Sequence, residues 1–307
     1  MSILREEQVK TMSSITNLIK MEMARLVRSK TAYITLLFVA IFAALLFAMS
    51  ASFGEQSQNN TLEKDNAMYA EISDEQAMEI KSSGVGKIKS SGVGFVAVDF
   101  TRNMDITFER LIHSFLSSGV FLVFCGIFAA NTVCNKYKSG FQKNLGIYSH
   151  KKWQMVAAEN ASLLFFVAVE MILVILILLF LSVCYFDRFR LGSAVSIIRY
   201  LGMQILLYDV FSVLIMCLAE LIRGKVIAIT VTCLLSMGIG NVVLSKIDDL
   251  LKLKNFSVLD HCLIYHVKML PVTYNAKVWG TAGAVAIFFF LLYNGISIAA
   301  VSQRDMA

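Results

Sequence analysis

The chain of 307 residues has one proline and four histidines, and only 16% of its residues are charged, against about 25% in soluble domains. So little charge and proline set aside a disordered chain, which is rich in both. Hydrophobic residues reach 57%, above the usual range of about 45–50%. A soluble core of this size does not conceal that much apolar surface, so lipid has to serve as part of the solvent. The composition reads as an integral membrane protein and excludes a soluble enzyme.

Cysteine motifs are missing as well. Of the six cysteines, Cys125, Cys134, Cys217 and Cys233 sit inside apolar runs and Cys184 ends another. They read as small buried hydrophobes rather than a disulfide framework, and no Cys-x-x-Cys occurs. His113, His150, His261 and His266 lack a nucleophile or metal partner at a recognised spacing, and there is no His-Glu-x-x-His. His261, Cys262 and His266 lie close in sequence but do not stack on one helical face, which argues against a metal site. Gly86-Lys87 within the repeat Lys81–Gly86 and Lys89–Gly94 lacks the first glycine and the Ser/Thr of a phosphate loop, so the repeat reads as a flexible segment. No catalytic residue is assigned.

What is present is a set of six apolar runs, near 32–50, 111–134, 156–185, 196–222, 226–244 and 276–300, each weighed against about 30 Å of hydrocarbon. The third is longer than a perpendicular crossing needs and is expected to tilt or project. The fifth is marginal and is interrupted near its end by Gly238 and Gly240. The first has no small-residue cleavage pattern after it and reads as a retained helix rather than a signal peptide. Loops rich in Lys and Arg mark the cytoplasmic side. Residues 135–155 hold Lys136, Lys138, Lys143, Lys151 and Lys152 with no acid, and Lys20, Arg25, Arg28 and Lys30 precede the first span. Both termini, 1–31 and 301–307, are then expected inside, flanking a transmembrane domain over 32–300. The 51–110 segment, with ten acidic against six basic residues in a chain of net charge +6, is expected outside.

Residues 12–30 read as an amphipathic surface helix. Met12, Ile15, Ile19, Met23 and Leu26 share the face expected among acyl chains, and Asn17, Lys20, Ala24 and Arg28 the opposite one. Within the outer segment a helix is predicted around Leu62–Ile80. Residues 245–275, apolar side chains among charges, predict one or two short amphipathic helices on the outer leaflet. The fold class is thus all-α integral membrane: six transmembrane helices, an N-terminal interfacial helix, and short extracellular helices before the last span.

Four carboxylates fall within the apolar runs: Glu159 and Glu170 on the third span, Asp209 and Glu220 on the fourth. A charge at the bilayer centre costs at least about 2.5–3.5 kcal/mol. Each pair is eleven residues apart, about three helical turns, and so lies on one face. Because the spans run antiparallel, Glu159 matches Glu220 in depth, and Glu170 matches Asp209. This acidic seam has three readings: the path of a cationic or amphipathic substrate, protonated hydrogen-bonding glue between helices, or the coupling groups of a proton-driven transporter.

With this layout, the chain resembles a type-2 ABC transporter permease. The resemblance is carried by the surface helix running into the first span (Glu22-Met23-Ala24-Arg25-Leu26-Val27-Arg28-Ser29-Lys30), by the basic loop from Asn135 through Lys138-Ser139-Gly140-Phe141 to Trp153, and by six spans with outer helices before the last. In that family the loop carries an acidic residue shortly before a Gly-Ser/Thr; here Lys136 stands in its place, and Lys151 and Lys152 replace the closing arginine. The resemblance implies that the loop is the coupling helix of a bacterial exporter, touching the ATPase through Tyr137, Lys138, Gly140, Phe141, Lys143, Tyr148 and Trp153. It also implies two ABC ATPase subunits carrying ATP and Mg, a second permease copy or a related permease, and a place in the bacterial cell membrane. No nucleic acid is implied. Implied cargoes include antimicrobial peptides, drugs, lipids and cell-wall polymers; the large outer segment and the acidic seam favour a peptide or amphipathic cation. A proton-coupled secondary transporter using Glu170 and Asp209, or an exporter of lipid or polymer, is the alternative. No inverted repeat supports the former.

Overall fold

A computed structural model describes residues 2–69, 106–138, 152–222, 224–251 and 261–303. They are almost wholly helical. α1 (Ser2–Arg28) and α2 (Lys30–Tyr69) are parted by Ser29 alone; β1 (Ile106–Thr107) leads into α3 (Phe108–Ser117) and α4 (Val120–Lys138). Then come α5 (Lys152–Tyr185), β2 (Phe189–Arg190), α6 (Ala194–Ile222), α7 (Lys225–Ser236), α8 (Ile239–Leu251), α9 (Leu263–Met269) and α10 (Ala276–Gln303). Among the described residues, five helices are long and apolar enough to cross a membrane: α2 over Lys30–Ser52, α4 over Val120–Tyr137, α5, α6, and α10 over Ala276–Ser302. α7 and the start of α8 qualify only together, bent by 66°, so the spans number five, or six where the bent pair is one.

Two of the expected spans are broken. The run 111–134 divides at Ser118-Gly119, where Gly119 takes φ +79°, a left-handed value that glycine adopts without a Cβ clash. The run 226–244 breaks at Gly238, φ +86°, whose N–H donates to Leu235 O at 3.0 Å and so closes the end of α7. The two breaks meet. A Cβ on Gly119 would lie 2.4 Å from the Ser236 carbonyl oxygen, so the two backbones touch where their helices change direction. α3 leaves orphan carbonyls at its end, and the Tyr208 hydroxyl of α6 donates to one of them, Leu116 O, at 2.7 Å.

α6 is the hub, packed against α4, α5, α7, α9 and α10. Within lipid such contacts rest on close packing and hydrogen bonds more than on the hydrophobic effect. Phe128 of α4 stacks on Phe166 of α5 with ring centroids 3.6 Å apart. Gly126 lets α4 approach α7 so closely that a Cβ there would fall 2.3 Å from Thr232 Cγ2. Phe47 of α2 packs its ring against Phe115, Tyr185 and Phe186, joining the first span to α3 and to the end of α5. Next to that contact, β1 and β2 form a parallel two-residue ladder pairing Ile106 with Phe189 and Thr107 with Arg190. Glu109 Oε1 accepts the Ser193 N–H at 2.8 Å and fastens the turn that starts α6.

Outside the spans, α2 continues unbroken to Tyr69, so the 51–110 segment begins as a helical extension of the first span. Of the helix predicted at 62–80, the part to Tyr69 is helical, and the remainder lies outside the described residues with the Lys81–Gly94 repeat. Two helices, the end of α8 and α9, do fall within 245–275. α1 is helical as expected, but it packs against α5: Leu18 is buried with Met155 and Ala158, and Ile19 lies against them. The buried stripe of α1 is thus turned toward protein and includes Glu22, because a carboxylate on that stripe finds cations there.

Candidate functional site

The basic loop is flanked by the end of α4 and the start of α5, and a buried ion cluster ties these two ends to α1. Lys136 Nζ contacts Glu159 Oε1 of α5 and lies 3.1 Å from Glu22 Oε1 of α1; Glu22 Oε2 also pairs with Arg25 at 2.8 Å. Glu22, Lys136 and Glu159 are each less than a tenth exposed. Buried charges are tolerated only when compensated, and here two carboxylates face two cations. Lys136 thus links the three helices, which also pack through Leu18, Met155 and Ala158 and through Phe128 and Phe166. Lys152, at the start of α5, donates to Ser302 O of α10 at 3.4 Å and links the last span to the same end of the molecule.

Mid-bundle, a second polar layer joins α4, α5 and α6. Cys125 Sγ donates to Glu170 Oε2 at 3.0 Å, and Asp209 and Ser212 lie beside the same thiol. Glu170 is fully buried, and its other oxygen, Oε1, has no hydrogen-bond partner among the described residues; the same holds for Asp209 Oδ1. Glu220 is also buried. All four carboxylates lie inside the helix bundle of this one chain.

Cys125 and Lys136 are the members that sequence reasoning missed as partners. The signal was there. They too are eleven residues apart, and antiparallel pairing of α4 with α5 sets Lys136 at the depth of Glu159 and Cys125 at that of Glu170. Two polar layers therefore run through neighbouring helices, one ionic near the loop and one of thiol and carboxyl groups deeper in.

Of the residues expected to touch an ATPase, Tyr137 is half-buried against the core, Lys138 ends α4, and Trp153 is exposed on the first turn of α5. Gly140, Phe141, Lys143 and Tyr148 lie outside the described residues. His261 is exposed and His266 buried, and among the described residues no three His, Cys, Asp or Glu side chains converge as metal ligands would. No protein-family model matches the chain, and no curated protein matches it. The structure supports a multi-pass helical membrane protein whose loop-bearing helices are clamped together at one end.

Proposed function

We propose that this chain is the membrane-spanning permease subunit of an ATP-driven exporter of the type-2 ABC class, lying in a bacterial cell membrane with both termini cytoplasmic. It works as a dimer, and separate ATPase subunits supply ATP hydrolysis. The observation that carries this reading is the Glu22–Lys136–Glu159 cluster. A loop that passes mechanical work into two spans has to be rigidly attached to both, and here both helix ends are held against a third. A loop that only binds lipid head groups needs no such attachment. Peptides or amphipathic cations are the favoured cargo.

Within this reading the deeper layer holds helices together in the state described, since Glu170 accepts from Cys125 in a closed interior. It meets cargo only in a state where α4, α5 and α6 part. Co-expression with an ATPase encoded beside it, followed by purification through the permease, tests the assignment. The expected result is a stable complex whose ATP hydrolysis drives export. Proton-driven transport by the chain without ATP would instead establish the secondary transporter.

A further inference from the structure

A half-open cavity of about 550 Å³ lies between α1, the start of α2, α4 and α5, next to the ion cluster. Arg25, Arg28 and Lys136 line it together with Ser29 and the apolar side chains of Phe128 and Leu26; Thr132 also borders it, its hydroxyl donating to Phe128 O at 2.9 Å. Arg25 and Lys136 answer the two carboxylates they touch. Arg28 is exposed and has no ion-pair partner among the described residues, so one positive charge at this cavity is uncompensated. The α2 chain starts here, and its Thr31 is part of the lining. Along α2 the face of Thr31 continues through Ile34 and Phe38, one and two turns on, and both are exposed apolar side chains. Head and tail requirements therefore adjoin: a basic hollow of ligand size leads onto an apolar helical track.

We infer that this cavity is a binding site for one anionic phospholipid, its phosphodiester held by Arg28 beside Ser29, with one acyl chain along Ile34 and Phe38. The shared chemistry is a phosphate anion, which free phosphate esters also offer; the exposed apolar track on α2 favours the lipid. The inference draws on the cavity and on the exposed apolar face of α2, and is independent of ATP-driven export. Because Lys136 belongs both to the cavity and to the ion cluster, the bound lipid would sit against the attachment of the basic loop.

The test uses the full chain in detergent micelles without an ATPase, so a failed exporter assignment leaves it untouched. Dioctanoyl phosphatidylglycerol, dioctanoyl phosphatidylcholine and glycerol 3-phosphate are titrated by native mass spectrometry. Saturable binding of one phosphatidylglycerol per chain is expected. Arg28→Gln, which removes an exposed side chain and leaves the fold intact, should weaken it about tenfold, the scale of one charge-assisted hydrogen bond. Thr132→Phe should block it by filling the cavity, and Lys20→Gln, on the same helix but away from the lining, should leave it unchanged. Equal binding of phosphatidylcholine would overturn the role of charge, and equal binding of glycerol 3-phosphate would overturn the lipid. Equal losses from Lys20→Gln and Arg28→Gln, or no loss from either Arg28→Gln or Thr132→Phe, would reduce the site to a diffuse basic surface.

Discussion

Lys136 stands between two buried carboxylates, and its removal has a calculable consequence. Lys136→Met leaves the buried Glu22 and Glu159 without the cation between them, and breaking a buried ion pair in this way costs about 3–5 kcal/mol. The purified chain should show a correspondingly lower Tm. Adding Glu159→Met should restore most of the loss, because Glu22 keeps Arg25; two variants whose effects simply add would show that the groups do not interact. The deeper layer behaves differently. Cys125→Ala removes the donor to Glu170 Oε2 and is expected to cost about 1–3 kcal/mol, whereas Glu170→Gln retains an acceptor for the thiol and should cost less. If cargo passes between these helices, replacing Glu170 and Asp209 by Gln and Asn impairs export while the complex with the ATPase still assembles. Unchanged export in a reconstituted assay with all four carboxylates neutralised would leave them with a structural role alone.

Among the elements, the meeting of the two broken helices is the most constrained point. Gly119→Ala puts a Cβ at a left-handed φ and 2.4 Å from the Ser236 carbonyl, a backbone atom with no freedom to swing away. It should cost more than about 1 kcal/mol from φ alone, and the clash adds to this. Gly202→Ala, in α6 with nothing within 4 Å of the added carbon, should be neutral or stabilise by up to about 1 kcal/mol. Thermal unfolding of the two variants side by side separates a glycine required by contact from one that is merely present. Lys268 of α9 reaches the same crossing, its Nζ 3.4 Å from the place of the Gly119 Cβ, and burial lowers its pKa. With the folded value below the unfolded one, the folded chain releases this proton first. The cost of the buried ammonium is therefore fully present below the folded pKa, and stability rises with pH from there to the unfolded value. Lys268→Met should reduce that rise, read as the change in Tm between neutral and alkaline buffer.

At the scale of the whole molecule, lengths and depths were legible in the chain, and partners were not. The apolar runs at 156–185, 196–222 and 276–300 reappear almost residue for residue as α5, α6 and α10, because about twenty apolar residues in a row have few alternatives to a helix in lipid. The break at Gly238 was visible as a glycine-interrupted run; the break at Gly119 was not, since Ser118-Gly119 sits within a run that apolar content alone leaves continuous. The apolar stripe of α1 was read as facing acyl chains; Ile19 of that stripe, with Leu18 beside it, packs on α5, since periodicity shows that a helix has two faces without naming what covers each. If the proposed function holds, Lys136→Met should also uncouple ATP hydrolysis from transport in the assembled complex, and unaltered coupling in that assay would count against the clamp as a transmission element. The sequence by itself determined that the chain is built from helices long and apolar enough to cross a membrane, and which polar residues share a level along antiparallel helices, because hydrocarbon thickness and helical rise are fixed quantities; whether the glycine-broken run makes a sixth crossing it left open. Only the tertiary structure decided which helices are neighbours, and with them that Lys136 answers Glu22 and Glu159 and that Cys125 answers Glu170, since those pairings depend on how the helices are rotated against one another.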